Sequence, residues 1–93
     1  MQILETIYQT IAQRRKNPKE GSYTNYLQGA GLDKMLKKLA EEAGEVIIAA
    51  KNTESQRLIE ETADLLYHLL VLLEEKGINL EQVDGELTKR HAS

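Results

Sequence analysis

The sequence has no cysteine, no tryptophan and no phenylalanine, and only one proline in 93 residues. Without thiols there can be no disulfide framework, no cysteine-based zinc site and no thiol nucleophile. That absence suits a reducing compartment, and a cytoplasmic location is expected. Four tyrosines are the only aromatics, so the core must be almost purely aliphatic. Long apolar runs are missing too. The longest, residues 65–73, is nine residues and is interrupted by His68, whereas a membrane span needs roughly 18. No basic region followed by an apolar core opens the chain, so no secretory signal is expected. Net charge is −3 with no continuous basic face, which disfavours nucleic acid as a partner.

What is present is a globular balance of 41% hydrophobic and 29% charged residues. The length predicts a single domain over 1–93. A chain this short buries only about 60–65% of the surface it exposes when unfolded, so it gains much from a partner chain.

Residues 2–16 read as a helix, with Leu4, Ile7, Tyr8 and Ile11 at i, i+3, i+4, i+7. Arg14, Arg15 and Lys16 fall in its last turn, where cations favour the helix dipole. Residues 17–30 carry no clean period and read as an irregular functional loop. A second helix is expected over 32–51, with Leu36, Leu39, Ala40, Ala43, Ile47 and Ala50 as its apolar stripe. A third is expected over 54–76, started by a capping box at Thr53 and Gln56 and ended by Gly77. Asn79 can cap a fourth, 80–90, with Leu80, Val83 and Leu87 facing inward. Residues 46–50 and 65–73 are apolar around the whole circumference, which one small chain cannot bury. The expected fold is therefore an all-α, four-helix bundle completed by dimerisation, or a larger homo-oligomer.

The informative residues are acids. Glu42 and Glu45 on the second helix, and Glu61 and Asp64 on the third, are each spaced i, i+3 and lie one turn apart on one face. Glu41 shares a face with Glu45. A short connection predicts an antiparallel hairpin, and both pairs lie about 8–11 residues from its turn, so at ~1.5 Å per residue they come level. Carboxylates gathered this way repel one another and are costly to bury unpaired. Two remedies are open: lysine or arginine partners, among which Lys38 is in reach, or a divalent cation. Hard oxygen ligands suit Mg²⁺ or Mn²⁺, and the lack of cysteine argues against zinc. His68 follows Asp64 by four residues and reads as a core or supporting histidine rather than a direct ligand. Among the basic residues, Lys37, Lys38 and Lys51 are the candidates retained for phosphate contact. Lys51 can equally satisfy helix-terminal carbonyls.

The pattern Glu41-Glu42-x-x-Glu45 followed by Glu61-x-x-Asp64 resembles the metal motif of the all-α, MazG-like NTP pyrophosphohydrolases. Ser22-Tyr23-Thr24, Gly31, Lys37-Lys38, Glu41-Glu42-Ala43, IAAK at 48–51 and ADLLYHLLVLL at 63–73 are similar to the phosphoribosyl-ATP pyrophosphatases of histidine biosynthesis. The resemblance spans about residues 3–90. Ala40 and Gly44 stand where that family often has Gly and Thr, and both departures touch helix packing rather than a ligand. The resemblance implies Mg²⁺-dependent hydrolysis of 1-(5-phosphoribosyl)-ATP to 1-(5-phosphoribosyl)-AMP and diphosphate, with Mn²⁺ as a substitute metal, by a homodimer. Under it, Glu42, Glu45, Glu61 and Asp64 hold metal and Glu41 can help activate water. Lys37, Lys38 and Lys51 meet phosphates, and Ser22, Tyr23 and Thr24 close on the substrate. Two alternatives stay open: a house-cleaning pyrophosphatase for other nucleotides, and a non-enzymatic helical module whose acids are a solvated face.

Overall fold

The computed structural model describes residues 1–92; the expected domain range also includes Ser93, which lies outside them. The described residues form five helices and no strand: α1 (Gln2–Lys16), α2 (Tyr23–Ala30), α3 (Leu32–Ala50), α4 (Ser55–Glu75) and α5 (Leu80–Ala92). The fold is all-α, as expected, but the four-helix count is corrected to five, because the segment read as an irregular loop contains α2.

Local chemistry explains that extra helix. Ser22 is its N-cap, accepting from the Asn25 backbone N–H at 3.1 Å. Gly31, at φ 96°, ends it in a backbone conformation that glycine adopts without strain. Asn25 and Gln28 then tie it to α1, donating to the carbonyls of Arg14 at 2.9 Å and Ile11 at 3.1 Å. Leu27 is fully buried at its centre.

The α3–α4 hairpin is the most extensive helix pairing, and α1 crosses α4. Ile11, Leu27, Met35, Leu70 and Val71 make the buried core where α1, α2, α3 and α4 meet. The capping box expected at Thr53 does not form. Glu54 is the N-cap and makes no side-chain cap bond, while Gln56 donates to Glu60 at 3.2 Å. At the other end, the Gly77 N–H bonds the Glu74 carbonyl at 3.1 Å and the Ile78 N–H bonds the Leu73 carbonyl at 2.9 Å. This is a Schellman termination with Gly77 in the left-handed region. The Tyr8 hydroxyl fastens α1 to this turn, donating to the Ile78 carbonyl at 2.7 Å. Asn79 and Gln82 cap α5 reciprocally, each side chain bonding the other's backbone N–H at 2.9 Å.

Two apolar faces differ from those expected. On α3 the buried positions are Met35 and Ala49, with Leu39, Glu42 and Val46 half-buried between them. Leu36 is 44% exposed and Ile47 68% exposed, so most of the expected stripe points away from this chain's core. A helix that is apolar all round has two faces to offer, and α4 takes the one that carries Glu42. On α5, Leu87 is exposed rather than inward. No helix among the described residues is long and apolar enough to cross a membrane.

Candidate active site

Along one stripe of α4 run Glu61, Asp64, His68 and Val71, in steps of three and four residues, all but Asp64 buried. Two of these positions hold polar groups where packing alone would place apolar ones. Glu61 and His68 are the buried polar side chains of the described residues, 8% and 7% exposed. Glu42 occupies the facing stripe of α3. One carboxylate oxygen from each of Glu42, Glu61 and Asp64 lies within 4.8 Å of the other two, with Asp64 on the solvent side.

The charges in this trio are only partly offset. Arg57 approaches Glu61 at 3.3 Å, and Lys38 lies 3.5 Å from Glu41 and 3.9 Å from Glu42. Each of these pairs lies within one helix. Desolvation pushes the Glu61 carboxyl above the ordinary carboxylate range; Arg57 opposes this, and the charges of Glu45, Asp64 and Glu42 add to it. Lys38 is held above the usual lysine range, first by the neighbouring Tyr23 oxygen and, against some desolvation, by Glu41 and Glu42.

The structure thus brings three of the five expected acids together. Glu45 is exposed and outside the trio, yet near enough to act on Glu61. Glu41 is exposed and faces Lys38. Converging carboxylate oxygens, with no sulfur or ring nitrogen among them, are a donor set that fits a hard divalent cation such as Mg²⁺ or Mn²⁺.

The other singled-out residues surround this cluster or lie off it. His68 makes both bonds of a core histidine, Nδ1 with the Asp64 carbonyl at 2.7 Å and Nε2 with the Tyr23 hydroxyl at 3.0 Å. The Thr24 hydroxyl pairs with the Tyr67 hydroxyl, and Ser22 caps α2. Lys37 is exposed. Lys51 is the C-cap of α3, its N–H bonded to the Ile48 carbonyl at 3.1 Å. Sequence reasoning missed Arg57 and Tyr67. Arg57 was detectable, because it precedes Glu61 by four residues.

Known proteins place the chain in a family. The family model described as phosphoribosyl-ATP pyrophosphohydrolase matches residues 4–91. The chain belongs to the phosphoribosyl-ATP pyrophosphohydrolase family. A phosphoribosyl-ATP pyrophosphatase of Streptococcus sanguinis (strain SK36) is 58% identical over 88 residues, covering 95% of this chain and 85% of that protein. One from Limosilactobacillus fermentum is 59% identical over 90 residues, covering 97% and 85%. A bifunctional histidine-biosynthesis protein of Oceanobacillus iheyensis is 52% identical over 91 residues, which is 98% of this chain and 42% of that longer protein. In this member of the family, the acids that meet at the α3–α4 interface are the chemically distinctive feature.

Proposed function

We propose that the chain hydrolyses 1-(5-phosphoribosyl)-ATP to 1-(5-phosphoribosyl)-AMP and diphosphate, the second step of histidine biosynthesis, in the cytoplasm. The observation that carries this is the convergence of Glu42, Glu61 and Asp64 in a chain whose close relatives bear that enzyme's name. Mg²⁺, or Mn²⁺ in its place, would be held by these three acids with Glu45 alongside, and would supply charge neutralisation for the triphosphate and its leaving diphosphate.

The chain's own residues do the rest. Glu41, exposed on α3 and ion-paired with Lys38, would take a proton from the attacking water. Water oxygen adds at the α-phosphorus, the α–β anhydride bond breaks, and diphosphate leaves. Lys38, beside Glu41 and Glu42, would meet phosphate oxygens, with Lys37 and Lys51 as further contacts. Ser22, Tyr23 and Thr24, at the start of α2, would close on the substrate and shield it from bulk water.

A second copy of the chain would cover the apolar side chains left bare on α3 and α4. Leu36, Ile47, Ile48 and Ile59 are 44–68% exposed, and burying the part still exposed is worth about 1–2 kcal/mol each. We therefore read the working form as a homodimer or a higher homo-oligomer. Ile47→Lys would shift the mass in sedimentation towards the monomer; an unchanged mass would remove this face from the assembly.

The substrate assignment is tested by diphosphate release from phosphoribosyl-ATP, dCTP and dUTP at equal concentration with Mg²⁺. Preference for phosphoribosyl-ATP is expected. Faster turnover of dCTP or dUTP would favour the house-cleaning reading, and no release from any of the three would favour a non-enzymatic module.

A further inference from the structure

Tyr23 and His68 stand beside the acid trio and are wired into it. A carbonyl oxygen can only accept, so Nδ1 of His68 carries the proton and donates to the Asp64 carbonyl at 2.7 Å. Nε2 is then left as the acceptor for the Tyr23 hydroxyl at 3.0 Å. The ring packing holds this line in place. His68 meets Tyr23 and Tyr67 edge-on, with centroids 5.7 and 5.2 Å apart, and Tyr23 stacks against Tyr67 at 6.2 Å.

A buried imidazole costs free energy unless its nitrogens are bonded, and an aliphatic side chain would fill the same position on the core stripe without that cost. The polar line therefore asks for a reason beyond packing, and its two ends supply one. One end is the first turn of α2, an eight-residue helix too short to be stable by itself. The other is the turn of α4 that bears the Asp64 carboxylate.

We propose that Tyr23 and His68 are positioning residues for Asp64: the bonds from the Tyr23 hydroxyl to His68, and from His68 to the Asp64 carbonyl, transmit the seating of α2 to the turn that aims Asp64 at Glu42 and Glu61. This rests on the metal reading above. Along this line Tyr23 acts through His68, whatever surface its ring offers the substrate.

The test is Mn²⁺ binding to the full chain without substrate, followed by the spin-resonance signal of free Mn²⁺, with circular dichroism as the check on folding. Tyr23→Phe keeps the ring and loses only the hydroxyl. His68→Asn keeps an amide N–H for the Asp64 carbonyl and breaks the Tyr23 end. Each should weaken Mn²⁺ binding about tenfold, the scale seen when a group supporting a metal ligand is lost. The double variant should bind like either single one, because both break one line at one place. Unchanged affinity in the folded single variants, with Asp64→Asn losing binding, overturns this inference alone. Effects that multiply in the double variant overturn it too. Wild-type binding by Asp64→Asn overturns the metal reading and this inference with it. If His68→Asn fails to fold, Tyr23→Phe decides.

Discussion

Helix α4 carries two acidic groups, and the protein treats them in opposite ways. Glu74 and Glu75 sit at its C-terminal end, where the helix dipole disfavours negative charge. Arg15 reaches across from α1 to meet both, bonding Glu74 through Nε and Nη2 at 2.9–3.2 Å and Glu75 at 2.5 Å. These hydrogen bonds hold the guanidinium well above its ordinary value. About three turns upstream, Glu61 and Asp64 converge with Glu42. The cations there, Arg57 and Lys38, come from the same helices as their partners and stop at 3.3 and 3.9 Å. Acidity alone therefore does not mark a site. The difference lies in whether the fold supplies its own counter-charge from a neighbouring helix, and at the central trio the charge is only partly offset.

Substitutions at the two groups should separate them. The largest effect is expected on turnover. Asp64→Asn or Glu61→Gln should cut diphosphate release about a thousandfold or more, since a catalytic metal is worth several kcal/mol and about 1.4 kcal/mol is tenfold in rate. Glu74→Gln should leave release within about twofold, as expected for a group off the reaction path.

Next in size is stabilisation by metal. At about 100 times its dissociation constant, Mg²⁺ should add about 2.7 kcal/mol to the wild type, which raises the melting temperature by about 10 °C or more for a chain of this size. Asp64→Asn should lose that rise and Arg15→Ala should keep it. An equal rise in both would erase the distinction between the two groups.

Smaller is the contribution of the Arg15 bridge. Its side chain is 42% exposed, so screening limits Arg15→Ala to a loss of about 1 kcal/mol in denaturant unfolding.

The smallest effect concerns pH. The Glu61 carboxyl is raised in the folded state, so that state holds the proton to higher pH than the unfolded chain does. Without metal, stability should fall as pH rises from the ordinary glutamate value through the raised one. Glu61→Gln should be more stable than the wild type at neutral pH, with the gain vanishing in acid. A pH-independent difference would contradict the cause assigned to Glu61.

Much of this contrast could be read from spacing. The i, i+3 acid pairs on two helices joined by a short turn placed Glu42, Glu45, Glu61 and Asp64 level; three of them meet, and Glu45 lies exposed outside the trio. Gly77 and Asn79 marked a helix end and a helix start through local backbone chemistry, which needs no tertiary information. The missed helix was legible in part. Tyr23, Tyr26, Leu27 and Ala30 follow i, i+3, i+4, i+7, but two of the four are tyrosines and glycines crowd the segment. The orientation of α3 was not legible. Leu36 and Ile47 form the more apolar stripe, and pairing with α4 overrides it in favour of the stripe bearing Glu42. Hydrophobicity ranks faces of a helix without saying which partner each face meets. Nor could spacing foresee the Tyr23–His68 bond, which joins residues 45 positions apart.

The most direct trial is a side-by-side assay of wild type and Asp64→Asn with Mg²⁺ and 1-(5-phosphoribosyl)-ATP, following diphosphate. The account predicts steady release by the wild type and almost none by the folded variant. Equal release by the two proteins would contradict it, because the reaction would then proceed without the carboxylate that completes the trio.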